Sequence, residues 1–137
     1  MPITYEIDRV RALVRTTCVG FVTFDEVMAH FAALEADPDR GGELNVLLDV
    51  SGLTSTPEIS QLREAAARIS PERSALRYRA CAIVASDDPA LVGMGKLFTL
   101  FARERFRAST VVRTIHEAEQ WLQQPDAQAL SVRFPEK

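Results

Sequence analysis

This sequence has little cysteine, little histidine, almost no lysine and no long apolar run. Its 137 residues include two cysteines, Cys18 and Cys81, and two histidines, His30 and His116. Each cysteine sits within a strand-like run, which predicts burial as a small apolar side chain rather than a disulfide or a metal pair. Neither histidine stands at zinc-ligand spacing from a cysteine, so no metal is expected. His30 follows Met28 and Ala29 and is expected near the exposed side of its helix, and His116 in the first turn of the last one. The only lysines are Lys96 and Lys137. Asp49, Asp87 and Asp88 all end predicted strands, yet without a lysine after the last strand they do not make a phospho-receiver pocket.

No stretch approaches the roughly 20 apolar residues that span a bilayer. Met1-Pro-Ile-Thr-Tyr-Glu6 lacks the basic and apolar segments of an export signal, so a cytoplasmic location is expected. Nucleophile-elbow, P-loop and Gly-x-Gly-x-x-Gly patterns are all missing, as are repeats and low-complexity tracts. No catalytic residue and no cofactor is assigned, and the chain reads as a non-enzymatic module.

What is present is an ordinary globule, 47% apolar and 26% charged, with length for one domain and a proper core. The net charge of -3 argues against nucleic acid, which wants a basic face. The arginine clusters at 73, 77 and 79 and at 103, 105 and 107 read as solvated faces.

Ile3, Tyr5 and Ile7 alternate, Asp8-Arg9 interrupts, and Val10 to Cys18 alternates again, which predicts a β-hairpin. Thr23-Phe-Asp-Glu26 is a capping box opening a helix that carries Phe24, Val27, Phe31 and Leu34. The run from Leu44 to Val50 is apolar on both faces, as in a strand buried mid-sheet between helices. It stops at Asp49-Val-Ser-Gly52. Pro57 at a first helical position, capped by Thr56 or Ser55, then starts a helix with Ile59, Leu62, Ala66 and Ile69 inward. Tyr78 to Ala85 predicts a strand, Asp88-Pro89 a third helix, Ser109 to Arg113 a last strand, and Thr114 to Glu117 a second capping box. The expected fold is therefore α/β, a mostly parallel mixed sheet of about five strands with an N-terminal hairpin and four helices. The domain is expected over 1–122, with 123–137 as a tail.

The hairpin of Met1-Pro-Ile-Thr-Tyr5, the start at Val22-Thr-Phe-Asp-Glu26, and Leu47-Leu-Asp-Val-Ser-Gly52 together resemble the STAS domain family. Ala82-Ile-Val-Ala85 and Glu117-Ala-Glu-Gln-Trp-Leu122 carry the resemblance on. It is the fold of anti-sigma factor antagonists and sulfate-transporter tails, and the closer likeness is to small stand-alone SpoIIAA-like proteins. The resemblance implies a regulatory protein-interaction module. In the antagonists a serine is phosphorylated in an Asp-Ser-Ser-Gly motif after the central strand. Here the corresponding Thr56-Pro-Glu-Ile-Ser60 lacks that order, Thr56 and Ser60 are the nearby hydroxyls, and Glu58 places a fixed negative charge among them.

Two candidate sites follow. Asp49, Ser51, Thr54, Ser55, Thr56 and Ser60 form a hydroxyl-rich edge, which reads either as turn and cap residues or as a surface for a protein partner or an anion. The third helix carries Leu91, Met94, Phe98 and Phe101 in a face wider than one core stripe. That face predicts broad packing, a homodimer contact, or one wall of a pocket for a small, lipid-like apolar ligand between this helix and the sheet. The short apolar run Ala129 to Phe134 adds to the expectation of a homodimer.

Overall fold

A computed structural model describes residues 2–124. Its elements are β1 (Ile3–Asp8), β2 (Leu13–Gly20), α1 (Phe24–Ala36), β3 (Glu43–Leu53) and α2 (Ile59–Arg68), then β4 (Arg77–Val84), α3 (Pro89–Phe101), β5 (Ala108–Val112) and α4 (Ile115–Leu122). The expected α/β class, five-stranded mixed sheet, hairpin and four helices are all present. Among the described residues no helix is long and apolar enough to cross a membrane.

Strand order in the sheet follows the chain, β1 to β5. β1 pairs antiparallel with β2, Ile3 opposite Cys18, and every later neighbour pairs parallel. This order decides where the helices go. Right-handed crossovers that all step the same way across a sheet put their helices on one face. Accordingly Val46, Leu48, Cys81 and Ile83 cluster with Phe31 of α1, Ala66 of α2 and Leu91 of α3. On the other face α4 stands alone, its Ala118 and Leu122 packed on Leu13, Leu47, Ala80, Ala82, Val84 and Ala108. β3 is covered on both sides, as its two-faced apolar run requires.

The helices begin where local chemistry frees the chain. Thr23 Oγ1 accepts the Glu26 N–H at 3.2 Å while Glu26 returns a carboxylate to the Thr23 N–H at 2.8 Å. Asp88 accepts from the Ala90 N–H, and Thr114 with Glu117 repeats the box. α2 departs from expectation. It starts at Ile59 with Glu58 as N-cap, not at Pro57 with Thr56 or Ser55. The Glu58 N–H is taken by Gln61 Oε1 at 3.0 Å, and the Ser55 hydroxyl is bonded elsewhere. The hairpin also differs, because Val10 is 97% exposed in the turn and β2 begins at Leu13. There Asp8 accepts the Arg11 N–H, and Ala12 adopts φ 51°, so the alternating pattern is cut by a local side-chain bond.

Two bulges adjust the sheet. Between Thr17 and Val19 of β2, β3 advances from Asp49 to Gly52, one residue more than its partner. Asp49 Oδ1 accepts from both the Ser51 N–H (3.0 Å) and the Ser51 hydroxyl (2.6 Å), a local turn that displaces the ladder. For that reason β3 runs on to Leu53 instead of stopping near Val50. In β4 the extra residue falls between Tyr78 and Cys81. It turns Tyr78 onto the face that carries α1 to α3. The buried Ala80 N–H freed there is taken by Asn45 Oδ1 at 3.2 Å.

Urea melts should rank three substitutions. Leu47→Ala, 2% exposed beneath α4, should cost about 2–5 kcal/mol through a new cavity. Asn45→Ala should cost about 1–3 kcal/mol by orphaning the Ala80 N–H. Thr23→Ala should cost about 1 kcal/mol through the lost cap. An Asn45→Ala variant as stable as wild type would show that the bulge does not depend on the amide.

Candidate functional site

The face shared by α1, α2 and α3 is not filled. A cavity of about 470 Å³ lies between α1, α2 and the sheet, with α3 closing one side. Its floor is the strand residues Val14, Thr16, Cys18, Val46, Leu48 and Ile83. α1 contributes Phe24, Val27, His30 and Phe31, α2 contributes Leu62 and Ala65, and α3 contributes Met94, Gly95 and Phe98. Tyr78 and Phe106, packed edge to face with centroids 5.7 Å apart, also line it. A volume of this size lies within the range of small-molecule sites, which are mostly apolar with few polar groups.

The helices pack unequally on this face. A Cβ on Gly95 would meet the Val111 side chain at 3.3 Å and that of Ile83 at 3.4 Å, so α3 approaches β4 and β5 closely there. On α1 only Leu34 is buried, and Phe24, Val27 and Phe31 stay half-buried over the cavity. α1 is pinned at its carboxyl end. Glu35 takes a two-pronged ion pair from Arg68 of α2, at 2.6 and 2.8 Å. The Tyr5 hydroxyl donates to Asp37 at 2.7 Å, and Arg40 Nε donates to the Glu35 carbonyl. At the other end, the Ser55 hydroxyl accepts from the Val22 N–H at 3.0 Å and donates to the Val22 carbonyl at 3.2 Å. That pair stitches the loop after β2 to the loop after β3. The mouth opens beside this seam, rimmed by Phe21, Thr23, Thr56, Pro57 and Gln61.

Polar chemistry inside is sparse. Thr16 is 3% exposed, and its Oγ1 lies 3.4 Å from His30 Nε2. The His30 ring meets Tyr5 edge-on at 5.4 Å and tilts against Phe31 at 5.8 Å. Burial lowers the His30 pKa from its ordinary 6.5. His30 thus faces inward rather than standing on the exposed side. The Tyr78 hydroxyl is buried, has no hydrogen-bond partner among the described residues, and has its pKa raised chiefly by that burial. Burial also pushes the thiols up, Cys18 to about 11 with help from the Asp49 carboxylate and Cys81 to about 12. Both thiols are free, and β3 runs between their strands, a separation of about 9–10 Å that exceeds disulfide reach.

The residues singled out on the edge divide. Ser55 and Thr56 line the cavity rim, while Asp49 and Ser51 bond to each other at the bulge outside it. Thr54 is exposed and gives its N–H to the Gly20 carbonyl, and Ser60 is exposed in the first turn of α2. On α3, Met94 and Phe98 line the cavity. Leu91 is buried in the core cluster, and the Phe101 ring carries the Arg63 guanidinium 4.6 Å from its centroid. Neither borders the cavity. Of the large apolar side chains on α3 only Leu100 is strongly exposed, since α2 and β5 take the rest of the wide face. The run 129–134 lies outside the described residues. Among those residues no group of three or more His, Cys, Asp or Glu is placed to hold a metal ion.

The wall contributed by α1 was not singled out in the sequence, where Phe24, Val27 and Phe31 look like any core stripe. The one signal was His30 at the spacing of that stripe, three after Val27 and four before Leu34. Compared with known proteins, the chain matches no family model and no curated protein.

His30 gives this site a pH signature. Because the fold disfavours the protonated ring, His30 leaves stability intact above pH 6.5 and withdraws it as pH falls from 6.5 towards the depressed folded value. Urea midpoints between pH 7.5 and 5 should fall less steeply for His30→Gln than for wild type. Parallel profiles for the two would mean that the ring is not desolvated.

Proposed function

We propose that this protein binds a small, predominantly apolar molecule in the cavity beneath α1 and α2, as a carrier or sensor rather than a catalyst. The observation that carries this reading is the cavity of about 470 Å³ lined by side chains of three helices and the sheet. The pocket was expected between the third helix and the sheet. The proposed site lies mainly beneath α1 and α2, with Met94 and Phe98 as its α3 side. Apolar ligands in such sites gain from removing their surface from water at about 25 cal/mol per Å².

Native mass spectrometry of freshly purified protein should reveal a co-purifying apolar adduct, and thermal melts should rise against a panel of medium-chain amphiphiles. Ala65→Phe, which projects a ring from α2 into the cavity, should abolish adduct and melting shift while leaving the circular dichroism unchanged. A clean apo mass with no shift across the panel would sink the reading.

A second reading makes the edge from Ser51 to Ser60 a docking surface for a protein partner, as the STAS-like resemblance implies. It is supported by two exposed apolar side chains there, Phe21 at 70% and Ile59 at 57%. A pulldown comparing wild type with a Thr56→Glu, Ile59→Asp double variant tests it. Identical partners in both would remove the edge from consideration.

A further inference from the structure

We infer that the cavity selects a neutral amphiphile, an alcohol or ketone rather than a carboxylic acid or an amine, and holds its polar end against Thr16 and His30. The inference rests on the ligand-binding reading above and adds the chemical class of the ligand.

The first ground is the wall. Among the described residues no Asp, Glu, Lys or Arg lines the cavity. Its titratable groups are His30, Cys18, Cys81 and Tyr78, all uncharged at neutral pH. The Glu35–Arg68 ion pair between α1 and α2 is internally matched by its two-pronged geometry, and neither residue lines the cavity. A buried carboxylate or ammonium would meet no counter-charge here, and an unpaired ion is far costlier to bury than a hydroxyl or a carbonyl.

The second ground is the mouth. Residues 20–26 and 53–62, which form it, carry Asp25, Glu26 and Glu58 and no Lys or Arg. The two helix starts there bring about half a positive charge each, against three carboxylates. At α1 the freed amide is already taken by the Thr23–Glu26 pair. An anionic headgroup is therefore repelled at the rim as well as unmatched within. A cationic headgroup is attracted at the rim but finds no acid inside.

The third ground is the polar pair itself. Thr16 Oγ1 and His30 Nε2 are 3.4 Å apart, a long and weak contact that leaves the hydroxyl and the ring nitrogen free to bond a third group. A hydroxyl can donate to one and accept from the other, and a ketone oxygen can accept from whichever donates. Thr16 on the floor and His30 on α1 both line the cavity, as does Tyr78, whose buried hydroxyl has no hydrogen-bond partner among the described residues.

Calorimetry or ligand-induced melting with 1-decanol, decanoate and decylamine at pH 7.4 tests this. Decanol should bind about tenfold or more tightly than either ion. Thr16→Val, which replaces the hydroxyl with a methyl of the same shape, should weaken decanol about fivefold and narrow the gap. Equal or tighter binding of decanoate or decylamine overturns the neutral-ligand inference and leaves the binding reading standing. Unchanged decanol affinity in Thr16→Val overturns the placement of the polar end. Failure of all three probes to bind, in a protein whose Ala65→Phe variant melts identically with and without them, removes both.

Discussion

The structure depends on one topological constraint, that every parallel crossover steps across the sheet in the same direction. With a common hand, α1, α2 and α3 must then share one face. Five strands give four gaps, about 19 Å of width at the usual spacing. Three helices at 8–10 Å between axes occupy about 16–20 Å, so they fit side by side across the sheet. What differs is how closely each packs. Gly95 lets α3 approach β4 and β5 closely, whereas on α1 only Leu34 is buried and Phe24, Val27 and Phe31 stay half-buried over the cavity. The space left beneath α1 is the candidate site.

The same constraint explains why the familiar placement of ligands in open α/β sheets does not transfer. That placement relies on a point where strand order reverses and neighbouring loops part to opposite faces. Here strand order never reverses, so the loops at the carboxyl edge stay together, and Ser55 ties two of them through Val22. The hydroxyl-rich loop that marks this edge in the sequence serves several local tasks at once. Ser51 completes the β3 bulge, Ser55 closes the seam, and Thr56 stands on the rim.

Element types were legible because each rests on short-range chemistry. Capping boxes at Thr23 and Thr114 and the Asp88-Pro89 start are readable in four residues, and the two-faced apolar run of β3 in seven. The start of α2 was misplaced because Ser55 is drawn to Val22, 33 positions away, and no local pattern carries that. The wall of the site was illegible for a related reason. Whether Phe31 fills a core or borders a space depends on the distance between α1 and the sheet, which Leu34, Glu35 and Asp37 fix through long-range partners. Tyr78 would face α4 by simple alternation with Ala80 and Ala82, and only the β4 bulge turns it towards the cavity.

These polar anchors also sort the molecule into a firm end and a looser one. At the carboxyl end of α1, a two-pronged ion pair, a phenol–carboxylate bond and a buried leucine act together. At its amino end the flanking loops are joined by uncharged bonds, the Ser55 hydroxyl donating to and accepting from Val22 and the Thr54 N–H donating to the Gly20 carbonyl. Each neutral hydrogen bond nets about 0.5–1.5 kcal/mol, so this seam holds without the charge that ties Glu35 to Arg68 at the other end. The firm end is closed by charge matched within the protein, and the looser end faces water through an uncharged mouth lining ringed by carboxylates. Access to the cavity is therefore concentrated at the sheet's carboxyl edge, where the chain has spent its serines and threonines.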